Sequence, residues 1–252
     1  MTGPLELTII NQPRVFPYRR GYQIAKRVMD VVICLVALPV VLPLMAICAL
    51  VIRIDLPGPV LFIQERIGRG GRRFRMYKFR TMRSDLDDSA HRAFMKAYVG
   101  GQIGGDGEGS KSAGLRRPAL KAPVNGLFGD NGDQRIYKPV QTSQLTRVGR
   151  ILRKTSLDEL PQIFNVLKGE MSLVGPRPNV SWEVEEYRGW HCERLEVLPG
   201  MTGLAQVRGR SGISFDRIVE YDIEYVEKQG PALDLKILAW TLITVLFGTA
   251  AE

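Results

Sequence analysis

The sequence predicts a helix-rich α+β protein that attaches to a membrane from one side, a monotopic membrane protein. Three observations lead to this prediction. The segment Val31–Ile52 carries no charged residue over 22 positions, and about 20 apolar residues are enough for a helix to cross a bilayer. Basic residues flank this segment on both sides. The whole chain of 252 residues has a net charge of +9, which indicates an anionic partner such as lipid head groups or phosphorylated substrates.

Two prolines, Pro39 and Pro43, lie in the middle of this apolar segment. Because proline lacks the helical N–H and clashes with the preceding turn, it predicts a break at which the chain can turn back. Positively charged flanks are typical of cytoplasmic segments, so both ends favour the same face of the membrane. We therefore predict a re-entrant helix-break-helix over residues 22–54, after an N-terminal tail over residues 1–21. A tilted single span and a buried helix of a soluble protein remain as alternatives.

The following residues, 55–252, are enough for one sizeable domain on the cytoplasmic face. Its first part places short apolar runs between Pro and Gly residues, which predicts short strands and turns. Eight basic residues fall between Arg66 and Arg83 with no acid among them. They form either a positive surface that faces lipid or, for Lys78 and Arg80 in particular, ligands of a phosphate. Both interpretations stay open.

Three further helices are predicted around a glycine-rich insertion. Residues 84–98 predict a polar helix, and residues 100–134 then hold ten glycines among few large apolar residues, which is typical of a flexible insertion. Residues 145–154 have the spacing of a basic amphipathic helix, suited to anionic lipid or to a phosphate-handling core. Residues 235–248 form an apolar run too short to span a bilayer, which predicts a helix that packs or lies in the interface.

Cysteine and histidine usage excludes several kinds of site. The three cysteines, Cys34, Cys48 and Cys192, make no even framework, so we expect no disulfides and a reducing compartment. With two histidines and no paired-cysteine spacing, we expect no zinc site either. No nucleic-acid-binding motif is present. The positive charge therefore fits a membrane surface better than nucleic acid.

The segment from Thr155 to Pro178 carries the densest chemical signal. Ser156 and Glu159 have the spacing of a capping box, which predicts a helix that runs to about Leu167 and ends at Lys168-Gly169. Asp158 and Glu159 then lie in its first turn, where acids commonly do no more than complement the helix dipole. Carboxylates at this place are also suitable ligands of Mg²⁺, and a carboxylate can act as a covalent nucleophile toward phosphorus.

Basic and amide side chains near this segment are candidates for substrate binding. Arg153 precedes the two acids, and Arg177 lies between Pro176 and Pro178 on a stiff backbone, a good geometry for a guanidinium fork on a diphosphate. A simple proline-rich turn is the alternative. Further candidates for nucleotide or sugar contacts, with structural turn roles as the alternative, are Gln206, Arg208 and Arg210.

These motifs carry a family resemblance. The chain resembles the bacterial sugar transferases, monotopic polyprenyl-phosphate phosphoglycosyl transferases, over residues 22–240. The matching segments follow the family order: the membrane element from Asp30 to LPVVLPL, GPVLFIQERIG, YKFRTM, LTRVGRILRKTSLDELPQIFNVLKGEMSLVGPRP, LPGMTGLAQVRGR and LDLKI. The chain departs from the family in having Pro39 in addition to Pro43, in Leu42 where the family usually has Ser, and in its long glycine-rich insertion.

The resemblance implies a reaction. Such enzymes move a phospho-sugar from a UDP-sugar to a polyprenyl (undecaprenyl) phosphate, giving polyprenyl-diphospho-sugar and UMP. This is the first membrane step of exopolysaccharide, capsule or glycoconjugate assembly, at the cytoplasmic face of the inner membrane. The resemblance also implies a ping-pong mechanism with Asp158 as nucleophile, Glu159 positioning metal or acceptor, Mg²⁺ as cofactor bound by both acids, and Arg153 and Arg177 as phosphate holders.

Two other classes of function compete with this one. A non-catalytic adaptor on the membrane surface would use the basic helices and would not need Asp158, Glu159 or Arg177. A nucleic-acid binder would tolerate loss of the apolar segment. The sequence leaves open which sugar is transferred, which polymer is built and whether the chain forms a homo-oligomer.

Overall fold

The computed structural model describes residues 20–55, 57–82, 89–101, 145–209 and 213–246. Residues 1–19 of the predicted N-terminal tail, nearly all of the glycine-rich insertion and Arg210 lie outside these residues, and the last two residues of the predicted tail begin the first helix. The α-helices, in chain order, are α1 (Arg20–Asp55), α2 (Ser89–Val99), α3 (Arg147–Lys154), α4 (Ile163–Lys168), α5 (Ser181–Val184), α6 (Leu204–Gly209), α7 (Phe215–Lys228) and α8 (Pro231–Leu246). The strands are β1 (Leu61–Ile67), β2 (Arg73–Phe79), β3 (Ser172–Val174) and β4 (Gly200–Thr202), and the longer 3₁₀ helices are Leu157–Gln162 and Gly189–Glu196.

The predicted short strands and turn are present, and strands β1 and β2 form an antiparallel hairpin. The register runs from Leu61 opposite Phe79 to Ile67 opposite Arg73. Gly70 and Gly71, with φ of 65° and 77°, close the turn, a conformation that glycine adopts without steric cost. The hairpin buries part of one face and carries Lys78 toward the site described below.

Strands β3 and β4 pair in parallel and bring two loops together. Ser172 lies opposite Gly200, and Val174 opposite Thr202. A Cβ atom on Gly200 would come within 2.1 Å of the backbone nitrogen of Gly175, so the approach of these two backbones requires a residue without a side chain. The loop that follows β3 is therefore packed tightly against the start of β4.

Helix α1 packs along the rest of the protein over most of its length. Its buried apolar positions include Cys34, which belongs to a core cluster with residues of β2 and α4. Cys48 and Ile52 belong to a second cluster with Phe79 and Leu152. All three cysteines are free thiols in the structure. The opposite face of α1 is apolar and exposed, and α1 is long and apolar enough to cross a membrane.

The N-terminal half of α1 is also tied by polar contacts to three other elements. Lys26 forms a 2.8 Å ion pair with the fully buried Asp234 of α8. Arg27 donates to the carbonyl oxygens of Val166 and Leu167 at the end of α4. Asp30 accepts from the backbone N–H of Leu173 in β3 at 3.2 Å. Because buried charges are costly unless paired, these contacts define one orientation of α1 against the domain.

The predicted break in the membrane element is not confirmed. Residues 20–55 form one continuous α-helix that contains both Pro39 and Pro43. The re-entrant path therefore stays a prediction. Contacts with the domain recur near both ends of α1, so the domain lies along most of the helix.

The predicted amphipathic helices are present. In α3, Leu152 is buried and Ile151 is exposed, and Thr146 caps the helix by accepting from the N–H of Gly149 at 2.8 Å. In α8, Ile237 is buried whereas Leu242 is exposed. Their contact with lipid stays a prediction.

The capping box predicted at Ser156 is wrong, although the helix end at Gly169 is confirmed. Ser156 adopts a left-handed conformation with φ of 56° and its side chain makes no capping bond. A 3₁₀ helix, Leu157–Gln162, follows before α4 begins. Proline cannot donate to the carbonyl four residues earlier, and Pro161 lies inside this segment, so an α-helix from residue 157 would lack a bond there. Gly169 ends α4 with φ of 82°.

Candidate active site

Asp158 and Glu159 lie on the 3₁₀ helix directly after Ser156. In the part of the chain that the structure describes, Ser156 is the only residue other than glycine with a positive φ. Backbone strain of this kind is found preferentially at functional sites. The turn leaves Asp158 only 8% exposed, next to a partly exposed Glu159.

Lys78 of β2 pairs with Glu159. Its Nζ lies 2.6 Å from Oε1 of Glu159, and both side chains are mostly buried. Burial alone would raise the pKa of Glu159, but the positive charges of Lys78 and Arg177 hold it below its ordinary value. Burial lowers the pKa of Lys78, and Glu159 opposes that shift. Glu159 is therefore an ionised partner that keeps Lys78 in place.

Asp158 has the opposite electrostatic character. Burial raises its pKa; the adjacent Glu159 adds to this shift, while Lys78 and Arg153 oppose it. Environments that move the pKa values of two neighbouring acids apart assign them different roles. Asp158 is therefore the more basic of the two carboxylates.

Arg153 lies on the other side of Asp158, in the last turn of α3. Its Nε donates to Oγ1 of Thr81 at 2.9 Å, and a terminal nitrogen lies 3.0 Å from the sulfur of Met82. Burial lowers the pKa of Arg153, and the negative charge of Asp158 opposes this shift. Thr81 thus orients a cation beside the candidate nucleophile.

A pocket open to solvent is lined by Glu159 and Lys78, whereas Asp158 and Arg153 are not among its lining residues. Its lining combines three charged side chains with two amides and an apolar wall. The lining residues are Met76, Lys78, Glu159, Gln162, Arg177, Pro178, Gly200, Met201 and Gln206. The lining therefore combines cationic side chains, which suit phosphate, with apolar side chains, which suit less polar groups.

The predicted Pro-Arg-Pro turn forms one side of this pocket. Arg177 is exposed, whereas Pro176 and Pro178 are buried. The positive charge of Arg177 lowers the pKa of Glu159, Lys78 and Arg153, which places its guanidinium near all three. The two prolines thus fix a backbone that presents one arginine to the pocket.

Two predicted arginines are engaged elsewhere. Arg80 is buried and donates to the carbonyl of Pro57 at 2.8 Å, so it supports the loop after α1. Arg208 pairs with Glu224 of α7 at 2.9 Å. Neither is among the residues that line the pocket.

The site also contains residues that the sequence did not indicate. Gln162, Met76 and Met201 line the pocket, but each has an ordinary helix or strand neighbourhood in the sequence. Burial and, to a smaller extent, repulsion from the positive charge of Arg177 lower the pKa of Arg66 to about 10. Arg66 therefore lies close to Arg177. Arg66 belongs to the basic run of residues 66–83, which indicated a candidate phosphate site, but the run contains eight basic residues and did not single out Arg66.

The donor set fits Mg²⁺ only as an ion shared with substrate. Among the described residues no three or more His, Cys, Asp or Glu side chains cluster as a metal site. Asp158 and Glu159 supply carboxylate oxygens, and one oxygen of Glu159 already bonds Lys78. Mg²⁺ commonly takes one or two carboxylates and completes its octahedron with water and substrate phosphates. Two adjacent acids beside a pocket that Lys78 and Arg177 line meet that requirement.

Comparison with known proteins places the chain among sugar transferases. The family described as Bacterial sugar transferase matches residues 21–248. The galactosyl transferase CpsE of Streptococcus agalactiae is 36% identical over 243 residues, which cover 93% of this chain and 45% of that protein. The undecaprenyl-phosphate galactose phosphotransferase of Salmonella typhimurium is 37% identical over 235 residues, which cover 92% and 41%.

A third relative has a more similar length. The UDP-glucose:undecaprenyl-phosphate glucose-1-phosphate transferase of Caulobacter vibrioides is 35% identical over 239 residues, covering 90% of this chain and 72% of that protein. By contrast, the chain spans less than half the length of the Streptococcus and Salmonella relatives.

Proposed function

Because the chain belongs to the bacterial sugar transferase family, we propose that it transfers a phospho-sugar from a UDP-sugar to undecaprenyl phosphate and releases UMP. One observation carries the proposal. The buried Asp158 lies within electrostatic reach of Lys78, Glu159 and Arg153, and two of these neighbours, Lys78 and Glu159, line a pocket together with Arg177. This arrangement suits attack on a diphosphate. The names of the Salmonella and Caulobacter relatives support the class of both substrates.

The proposed reaction has two half-reactions. In the first, a carboxylate oxygen of Asp158 forms a bond to the phosphorus that carries the sugar. The bond between that phosphorus and the bridging oxygen breaks, and UMP leaves with the electron pair. In the second, an oxygen of the lipid phosphate attacks the same phosphorus. The Asp158–phosphorus bond breaks, the carboxylate is regenerated, and the polyprenyl-diphospho-sugar is released.

The side chains around Asp158 support these steps electrostatically. Phosphoryl transfer spreads negative charge over the equatorial oxygens, and catalysis depends on positioning and on nearby positive charge. Lys78 and Arg177 line the pocket, and Arg153 is oriented by Thr81 beside Asp158. Mg²⁺, held by Asp158 and Glu159, would supply further charge neutralisation when bound.

A panel assay tests the proposed function. We expect the detergent-extracted protein, given undecaprenyl phosphate and Mg²⁺, to release UMP from at least one of a panel of UDP-sugars and to form a diphospho-sugar lipid. Luminescent detection of UMP and chromatography of the lipid measure both products. A non-catalytic adaptor would release no UMP with any sugar, and that result would refute the proposal.

We also propose that α1 enters the membrane without crossing it, so that the site lies at the cytoplasmic face of the inner membrane. The buried pair of Lys26 and Asp234 ties the first turns of α1 to the domain. Cys48 and Ile52 tie its last turns to the same domain. A helix that crossed the bilayer would place these two sets of contacts on opposite faces. The exposed apolar face of α1 remains available to lipid.

Cysteine labelling from each side of intact cells tests this topology. The protein's own cysteines are changed to Ser, and single cysteines are introduced in the N-terminal tail or in the loop at residue 57. We expect both sites to resist an impermeant maleimide until the cells are opened. Both ends of α1 then lie in the cytoplasm. Labelling of the N-terminal site from outside, with residue 57 protected, would establish a spanning helix instead.

A further inference from the structure

Residues 176–179, in the loop after β3, are held through their carbonyl groups. Pro176 and Pro178 have no N–H, so this stretch has few backbone donors of its own. Four consecutive carbonyls nevertheless all find donors. Pro176 accepts from the N–H of Gly200 at 2.9 Å, and Asn179 accepts from the N–H of Ile67 at 2.9 Å. The two carbonyls between them accept from arginine side chains.

Arg194 is the first of these donors. It donates to the carbonyl of Arg177 at 3.0 Å and to Oδ1 of Asn179 at 2.8 Å. Its guanidinium pairs with Asp222 of α7 at 2.6 Å, with each side chain 2% exposed. It also donates to the hydroxyl of Tyr187 at 2.8 Å. A planar fork with five donors can hold several acceptors at once, which an ammonium group cannot do in the same geometry.

Arg66 is the second donor and comes from the opposite side. It donates to the carbonyl of Pro178 at 3.2 Å and to Oε1 of Gln64 at 2.6 Å, and it lies 4.0 Å from a carboxylate oxygen of Glu183. Glu183 in turn accepts from Asn179 at 2.7 Å. Two guanidiniums therefore hold the carbonyls of residues 177 and 178, which leaves the side chain of Arg177 at the pocket.

We propose that Arg194 and Arg66 are positioning residues for substrate, which act through the backbone of the Pro-Arg-Pro turn by fixing the direction in which Arg177 reaches the diphosphate. Neither is among the residues that line the pocket, so neither is assigned a contact with the reacting atoms. The inference rests on the proposed function, because it takes the ligand of Arg177 to be the diphosphate of the donor.

A double-mutant cycle tests this coupling with UDP as the probe. The dissociation constant of UDP in the presence of Mg²⁺ is measured by calorimetry for the wild type, Arg194→Lys, Arg177→Ala and the double variant. Loss of a charge-assisted contact predicts that Arg194→Lys weakens UDP binding about tenfold. If Arg194 acts through Arg177, the same change should weaken binding by less than about twofold when residue 177 is already alanine.

Controls separate positioning from general damage. Arg188→Lys alters a neighbouring arginine that pairs with Asp216 on the partly exposed surface, and it should leave UDP affinity unchanged. Thermal unfolding of every variant reports the fold. If Arg194→Lys does not fold, Arg66→Lys takes its place in the same cycle, with the same expected loss of coupling, because Arg66 is less buried.

The outcomes distinguish the two proposals. Suppose that Arg194→Lys, or Arg66→Lys in its place, weakens UDP binding equally whether residue 177 is arginine or alanine. That result would overturn the positioning role and leave the proposed function intact. Unchanged UDP affinity in both backgrounds would overturn it as well. A wild-type protein that binds no UDP and releases no UMP would instead refute the proposed function, and the positioning role with it.

Discussion

Asp158→Asn is expected to abolish turnover, to the background rate of UMP release. A neutral amide cannot form the acyl-phosphate bond that the first half-reaction requires. The burial that raises the pKa of Asp158 does not harm the amide, because Asn carries no charge to desolvate. We therefore expect the variant to fold as well as the wild type. Asp216→Asn is a matched control, since Asp216 pairs with Arg188 and His191, whereas Asp158 interacts with Lys78, Glu159 and Arg153.

Trapping the intermediate tests the same residue directly. Wild-type protein given a UDP-sugar without lipid should release about one equivalent of UMP and gain the mass of a phospho-sugar, as expected for a ping-pong scheme. Peptide mass spectrometry should place the adduct on a peptide that contains Asp158. An adduct on another residue, or an Asp158→Asn protein that still turns over, would exclude Asp158 as the nucleophile.

Lys78→Met is expected to lower kcat by about 10²–10³-fold, the usual effect of removing one donor from preorganised charge stabilisation. It should also destabilise the fold by about 1–3 kcal/mol, because Glu159 then remains mostly buried without its ion-pair partner. The pair is short, at 2.6 Å. Steady-state UMP release and thermal unfolding measure the two effects separately.

Two further variants assign these effects to the pair itself. Lys78→Met combined with Glu159→Gln should recover stability without recovering activity, since no unpaired charge remains buried. Lys168→Met removes a lysine that reaches Tyr77, the neighbour of Lys78, on the exposed surface, and should leave kcat unchanged. A Lys78→Met protein with wild-type kcat would show that Lys78 takes no part in charge stabilisation.

The sequence by itself determined the elements whose signal is local. The hairpin of β1 and β2, the amphipathic α3 and the end of α4 at Gly169 depend on spacings of two to four residues and on the backbone freedom of glycine. The adjacent acids Asp158 and Glu159 likewise stand out as a motif, and the structure places Glu159 in the lining of a pocket and buries Asp158 next to it. The one local prediction that was wrong, the capping box at Ser156, failed because Pro161 and a left-handed turn favour a 3₁₀ helix.

Only the tertiary structure decided which charged groups meet. Lys78 and Arg80 share one basic run, yet Lys78 pairs with Glu159, 81 residues away, and Arg80 supports the loop at Pro57. The sequence likewise singled out Arg177 and did not indicate Arg194, which holds its carbonyl. The reason is physical: local spacing determines which face of a helix or strand a residue occupies. The partner on that face depends on how distant elements pack, and a buried charge settles where packing provides its partner.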